Sequence, residues 1–133
     1  MPNYVTDTHP LIWHLTADAR LSGRVRQIFD ETDLGHHTIW IPSIVLVEIL
    51  YISEKRGVLP EAGGTFLDVL AGALNYVVDP LDWQTLMSMQ SIPRNTIKDM
   101  PDRIIAATSI KLGFPLISID SIITNSGLVS VVW

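Results

Sequence analysis

The sequence predicts an α/β fold, a three-layer α/β/α sandwich with a central, mostly parallel five-stranded sheet. Short apolar stretches alternate along the chain with stretches whose apolar residues recur at helical spacing. The short stretches are apolar at nearly every position, which is typical of parallel strands buried on both faces. The chain has 133 residues, of which 47% are hydrophobic, and we expect residues 1–133 to form one domain with a sizeable core.

Five of the short stretches are predicted to be strands, because they are apolar and several are rich in β-branched residues. They span residues 3–6, 38–42, 75–78, 115–119 and 128–133. The segments between them are long enough for the helical crossovers that parallel strands require.

The predicted helices lie between these strands, and several have recognisable ends. Ser22 is expected to cap a helix that continues through GRVRQIFDE, and Ser43 is expected to cap a helix that ends at Gly57. Pro101 in a first turn and Gly113 after a last turn bound another helix. The predicted helices span residues 11–15, 23–31, 44–56, 60–73, 81–89 and 101–112.

Composition and charge exclude several classes of protein. The formal net charge is -5, so the chain is not a basic protein that simply coats nucleic acid. It has no cysteine, which excludes disulfides, iron–sulfur clusters and thiolate zinc sites. No apolar run is long enough to span a bilayer, and the N-terminus is unlike a signal peptide. We therefore expect a cytoplasmic protein without a membrane partner.

Four separated acids are the candidate functional residues. Asp7 directly follows the first predicted strand and Asp120 the fourth, so both should emerge at the carboxyl edge of a parallel sheet. Glu48 lies about one and a half turns into the helix after the second strand, within reach of that edge. Asp102 reaches the edge only if residues 91–100 return the chain there.

Each acid also has a structural explanation. Asp7 and Asp120 are equally well explained as turn formers that bond to their own backbone. Asp102 near a helix start is favoured by the helix dipole alone. Glu48 differs, because it lies within SIVLVEILYI, where a charge is costly unless it is paired or bound to a metal.

Convergence of the four acids would predict a divalent metal site. Carboxylates gathered at one edge repel one another, and a hard cation such as Mg²⁺ or Mn²⁺ relieves that repulsion through oxygen ligands. Such an ion activates a bound water and meets the charge of a phosphate. An acidic chain is therefore compatible with hydrolysis of phosphate esters.

Four sequence stretches resemble a known family. They are VTDTHPLIWHL at 5–15, IPSIVLVEI at 41–49, KDMPDRIIAATSIKLG at 98–113 and PLISID at 115–120. Together they resemble a PIN-domain ribonuclease, and within that family a VapC-type toxin of a type II toxin–antitoxin system. The resemblance implies Mg²⁺- or Mn²⁺-dependent endoribonuclease activity on RNA, a homodimer and a cognate antitoxin.

The resemblance also assigns roles residue by residue. It implies that the four acids Asp7, Glu48, Asp102 and Asp120 are the catalytic residues and the metal ligands, the last acting through water. Ser118 matches a hydroxyl position that bonds near the metal. The family often has DPFDR where this chain has DMPDR. Asp99 is therefore either a further ligand or a helix-start residue, and we expect the second.

Two residues next to the acids have expected roles of their own. Arg103 is a candidate for contacting phosphate or for pairing with an acid, and His9 is expected to pack or cap rather than to act in the site.

Three functions remain open: a toxin that cleaves structured RNA, an RNA-processing nuclease of the same fold without an antitoxin, and a catalytically silent binding module. The complete set of four acids argues against the third.

Overall fold

The computed structural model describes residues 2–56 and 66–133, and a five-stranded parallel sheet lies at its centre. The strand order is β3-β2-β1-β4-β5, and each pair of neighbouring strands is parallel. The strands are β1 (Asn3–Thr6), β2 (Thr38–Pro42), β3 (Tyr76–Asp79), β4 (Leu116–Ile117) and β5 (Val131–Val132). The predicted α/β architecture is therefore confirmed.

Seven helices connect the strands within these described ranges. They are α1 (Thr8–Leu15), α2 (Gly23–Asp33), α3 (Ser43–Arg56), α4 (Phe66–Ala71), α5 (Trp83–Gln90), α6 (Met100–Leu112) and α7 (Ser121–Ser126). Ser22 caps α2 as predicted, since its side chain accepts a hydrogen bond from the N–H of Val25 at 3.2 Å. Gly113 ends α6 with a φ of 72°, a left-handed conformation that glycine adopts without strain.

The core explains why the short apolar stretches become strands. Val5, Ile39, Ile41, Leu116 and Ile117 are fully buried, and they lie on the three central strands. Such strands bury successive side chains on both faces, as a pattern that is apolar on both faces predicts.

The strand order places β1 between β2 and β4, where the direction of the chain across the sheet reverses. Val5 pairs with Trp40 of β2 and with Leu116 of β4. Ligands in open α/β sheets bind beyond the carboxyl ends of the strands at such a reversal. Residues that directly follow β1 and β4 therefore lie where a site is expected.

The structure differs from the predicted elements in several places. Helix α7 is not predicted, because SIITNS is too short to show a helical period. Strands β4 and β5 are shorter than predicted. Ser43 is the first residue of α3, and its hydroxyl accepts a hydrogen bond from the N–H of Leu81. Of the predicted helix 60–73, α4 is observed, whereas residues 60–65 lie outside the described residues.

Within the described ranges, no helix is both long and apolar enough to cross a lipid bilayer.

Candidate carboxylate site

A cavity of about 240 Å³ opens at the carboxyl edge of the sheet, beyond β1 and β4. All four acids singled out in the sequence line it. Its lining residues are Asp7, Thr8, His9, Glu48, Asp102, Ile119 and Asp120. Residues far apart in the sequence are thus brought to one place by the parallel sheet and the helices that follow its strands.

Asp7 is the most buried of the four acids, with 8% of its surface exposed. It caps the N-terminus of α1, where its Oδ1 accepts the N–H of Thr8 at 2.7 Å. Its Oδ2 accepts the hydroxyl of Ser118 at 2.6 Å. Burial raises the pKa of Asp7, although these two hydrogen bonds act in the opposite direction.

Ser118 connects two of the acids. It is 1% exposed, and its hydroxyl oxygen accepts the N–H of Asp120 at 3.0 Å while donating to Asp7. Asp120 in turn caps α7, since its Oδ1 accepts the N–H of Ile123 at 2.9 Å. The sequence-based assignment of Ser118 to the edge of the site therefore agrees with its position.

Glu48 reaches the cavity from the second turn of α3 and is half-buried. Its Oε1 accepts the hydroxyl of Thr8 at 2.6 Å. Burial raises the pKa of Glu48, and the negative charges of Asp7 and Asp99 raise it further. Its helix is less buried than its sequence suggested, because Leu50 is 38% and Tyr51 72% exposed.

Asp102 lies in the first turn of α6, and residues 91–99 do return the chain to the carboxyl edge. Asp99 caps this helix, since its Oδ2 accepts the N–H of Asp102 at 3.1 Å, so the expected helix-start role is confirmed. Burial raises the pKa of Asp102 to about 7, and the charges of Asp120, Asp99, Asp7 and Glu48 contribute further.

Arg103 does not have the position expected from the sequence. Its Nη2 donates to the backbone carbonyls of Met89 and Ile92, each at 2.9 Å, and neither a phosphate-binding nor an acid-pairing geometry is observed. Met89 lies in the last turn of α5 and Ile92 just beyond it, and the Met89 carbonyl also accepts the N–H of Ile92 at 3.1 Å. The guanidinium therefore joins the end of α5 to the start of α6, next to Asp102.

His9 lies at the rim of the cavity, and its ring centroid is 5.8 Å from that of Trp13. This contact agrees with the expected packing role. Its ring is also close enough to lower the pKa of Asp7 and of Glu48, although this is the smallest contribution at either acid.

Thr8 is the residue that the sequence reasoning missed. It is 3% exposed, donates its hydroxyl to Glu48 and supplies the backbone N–H that Asp7 accepts. Its one available signal is its position directly after Asp7 in DTH, where a threonine begins the helix. That position does not reveal a contact with a residue 40 positions away.

The donor set of the cavity fits a hard divalent cation. The four acids offer only carboxylate oxygens, and hydroxyls hold two of them in place. Magnesium and manganese prefer such ligands, and positive charge at this point would offset the mutual repulsion that raises the pKa of Asp102.

Comparisons with solved structures agree with this fold. The VapBC2 complex of Rickettsia felis bound to a promoter DNA fragment aligns with a TM-score of 0.73 and 15% identity, covering 98% of this chain and 97% of that chain. The DNA-bound VapBC complex of Salmonella typhimurium aligns with a TM-score of 0.73 and 19% identity, covering 99% and 98%. A toxin–antitoxin complex from Klebsiella pneumoniae aligns with a TM-score of 0.66 and 17% identity, covering 98% and 96%.

Comparison of the sequence itself identifies one protein family. A search of curated proteins finds no match. The model of the PIN domain, however, matches residues 4–125, which include every acid of the cavity. The chain belongs to the PIN domain family.

Proposed function

We propose that this chain is a Mg²⁺- or Mn²⁺-dependent endoribonuclease and the toxin of a toxin–antitoxin pair. The observation that carries the proposal is the convergence of Asp7, Glu48, Asp102 and Asp120 on one cavity at the carboxyl edge of the sheet. Membership of the PIN domain family, whose members are nucleases, supports hydrolysis of phosphodiester bonds.

In this proposal the four acids hold the cation, with Asp7 and Asp102 as direct ligands. When bound, Mg²⁺ or Mn²⁺ lowers the pKa of a coordinated water and offsets negative charge on the phosphate. Ser118 fixes the orientation of the Asp7 carboxylate, and Thr8 fixes that of Glu48. Both hydroxyls thereby keep ligand oxygens directed into the cavity without needing to be ligands themselves.

The surroundings of the cavity suit an RNA substrate in one further respect. Ile119 is 54% exposed and lines the cavity beside the carboxylates. An exposed apolar side chain there offers van der Waals contact to a sugar or base while the acids and their cation engage the phosphate. We expect positive charge at the phosphate to come from the cation, in keeping with the net charge of -5.

An antitoxin and a second copy of the chain are the proposed protein partners. The structural relatives VapBC2 and VapBC are toxin–antitoxin complexes, and this supports an antitoxin partner. Helices α3 and α4 also expose apolar side chains that a partner would cover. These are Val47, Leu50, Tyr51, Leu67 and Val69.

Expression in cells, followed by mapping of RNA ends, tests the proposal. We expect the chain to arrest growth and to produce defined new RNA ends, and co-expression of the adjacent reading frame to abolish both. Defined cleavage that the neighbouring frame does not suppress would favour the RNA-processing nuclease. Absence of cleavage by the intact, folded protein would favour the silent binding module.

A further inference from the structure

A second group of metal-ligating side chains lies at the opposite edge of the sheet from the carboxylate cavity. His14, Asp30 and Asp33 each place one ligand atom so that all three atoms lie within 4.8 Å of one another. His14 is in the last turn of α1, seven positions after Asp7, which corresponds to a rise of about 10 Å along the helix. Tyr76, which also contacts this group, begins β3. The group is therefore separate from the proposed nuclease site.

Three elements hold the geometry of this group. The ring of His14 stacks on Phe29 of α2 at a centroid distance of 4.6 Å and an interplanar angle of 10°. Its Nε2 lies 3.1 Å from Asp33 Oδ2. The hydroxyl of Tyr76 donates to Asp33 Oδ1 at 2.7 Å, which leaves Oδ2 facing the imidazole. These contacts fix His14 and Asp33, since each is held by a second residue.

The charge of the group is not balanced by the histidine. Asp30 and Asp33 are successive acids on one face of α2, three residues apart, and they face a single imidazole. With both carboxylates ionised, the three side chains carry net negative charge for either form of the imidazole. Arg26 lines the same cavity as His14 and Asp30, and Asp18 lines it as well. Burial raises the pKa of Tyr76, so that its hydroxyl stays a donor and adds no further charge.

The donor set suits a transition metal better than magnesium. One imidazole nitrogen and two carboxylate oxygens are ligands of Zn²⁺, whereas Mg²⁺ prefers oxygen alone. Ligand atoms in a tetrahedral zinc site lie about 3.4 Å apart, given bond lengths near 2.1 Å. His14 Nε2 and Asp33 Oδ2 are hydrogen-bonded to each other at 3.1 Å. A cation that replaced the shared proton would need these two atoms to separate by only about 0.3 Å. A cavity of about 370 Å³, lined by His14 and Asp30 among others, gives space for a water as a fourth ligand.

We propose that His14, Asp30 and Asp33 bind a zinc-like divalent cation that joins α1 to α2. The site is structural rather than catalytic, because it lies away from the carboxylate cavity. Its function is to fix the C-terminal end of the helix whose N-terminus carries Asp7.

Thermal unfolding of the purified chain in zinc tests this proposal, after chelator treatment and removal of the chelator. Excess Zn²⁺ is expected to raise the Tm of the wild type by several degrees, because it binds only the folded state. Asp30→Asn is the decisive variant. The hydrogen bonds of His14, Asp33 and Tyr76 described above do not involve Asp30, so this substitution removes a ligand and leaves that arrangement in place. In an Asp102→Asn background, in which the carboxylate cavity is disabled, Asp30→Asn should abolish the zinc-induced rise in Tm.

Two controls separate this site from other effects of zinc. Glu54→Gln removes one negative charge from an exposed position on α3, and it should retain the full rise in Tm. Asp102→Asn disables the carboxylate cavity, which is itself proposed to take divalent cations, and should retain a rise in Tm of several degrees, so failure of the nuclease proposal would not affect this result. An equal rise in Tm for Asp30→Asn and the wild type would overturn the proposal, as would a rise that Asp102→Asn abolishes. Absence of zinc binding to the wild type by calorimetry would likewise overturn it.

Discussion

The hydroxyl of Ser118 lies 2.6 Å from Asp7 Oδ2 and joins two residues that are 111 positions apart in the sequence. Because Ser118 also accepts the N–H of Asp120, one buried side chain positions the acids that follow β1 and β4. Main-chain pairing supports the same geometry, since the N–H of Asp7 donates to the carbonyl of Ile117 at 2.9 Å. The end of β1 and the end of β4 are thus held together.

Ser118→Ala should weaken cation binding and RNA cleavage about 10- to 100-fold, the usual effect of removing a side chain that orients a metal ligand. Titration of cleavage rate against Mn²⁺ measures both quantities. Ser91→Ala is the matched control, because Ser91 is exposed and its hydroxyl donates only within its own turn, to the carbonyl of Ser88. Wild-type cation affinity in Ser118→Ala would show that the hydrogen bond to Asp7 does not serve the site.

The contribution of Thr8 to RNA cleavage should depend on its hydroxyl and not on the shape of its side chain. Thr8→Val removes the donor to Glu48 while keeping the branched side chain, and it should reduce cleavage by a factor of about 10 or more. Thr8→Ser restores the hydroxyl and should restore most of the activity. The two variants are compared by cleavage rate at saturating Mn²⁺. Equal activity of the valine and serine variants would contradict the assigned role of the Thr8–Glu48 contact.

Asp102→Asn should raise the thermal stability of the metal-free protein at pH 8. The pKa of Asp102 is raised to about 7 in the fold, above its ordinary 3.8, so ionised Asp102 destabilises the folded state at high pH. As the pH falls from about 7 towards 4, the folded wild type takes up a proton before the unfolded chain does. The advantage of the asparagine variant should therefore shrink across this window.

Thermal unfolding in a chelator, measured from pH 8 to pH 4, checks this pH dependence. Asp68→Asn is the control variant, because it removes one carboxylate from an exposed position on α4, outside the cavity. If Asp102→Asn has a lower Tm than the wild type at pH 8, the carboxylate of Asp102 has a structural role instead.

Lys111 should contribute to the stability of the fold and not to cation binding. Its Nζ lies 2.5 Å from Asp79 Oδ2, and the two side chains are 7% and 10% exposed. It also lies 2.8 Å from Thr85 Oγ1, so it ties the end of α6 to β3 and α5. Lys111→Met leaves the Asp79 charge buried and unpaired, which should lower the free energy of unfolding by roughly 3 kcal/mol.

Urea denaturation measures this loss of stability. The double variant Lys111→Met with Asp79→Leu should recover much of it, because no charge is then left buried. Cation affinity should be unchanged in both variants, since Lys111 lies at the opposite end of α6 from Asp102. A loss of cation affinity would show that the two ends of α6 are coupled.

Most of the fold could be predicted because its signals are local. The central strands are short and apolar on both faces, the side chain of Ser22 caps α2, and Gly113 ends α6 by adopting a left-handed conformation. Helix α7 could not be predicted, because its six residues are too few for a period and its cap, Asp120, was equally explained as a turn. The shorter β4 and β5 reflect pairing with neighbours, which the sequence does not encode locally.

Part of the candidate site could also be predicted from the sequence, and part could not. Asp7 and Asp120 were predicted to share an edge, because a parallel sheet brings the ends of its strands together, and they line one cavity. The position of Asp102 depends on the path of residues 91–99, and that of Arg103 on the carbonyls of Met89 and Ile92 that its guanidinium reaches. Both depend on tertiary packing, as does the Thr8–Glu48 bond, and composition or spacing does not reveal them.

RNA cleavage by Asp7→Asn tests the proposed metal site most directly. The variant replaces an oxygen ligand by an amide of nearly the same shape, so the fold should persist, as near-native circular dichroism would verify. With Mg²⁺ or Mn²⁺, wild-type protein and Glu54→Gln should cleave RNA, a chelator should stop both, and Asp7→Asn should be inactive. Cleavage by Asp7→Asn at the wild-type rate, or wild-type cleavage that persists in the chelator, would contradict a carboxylate-bound cation at this cavity.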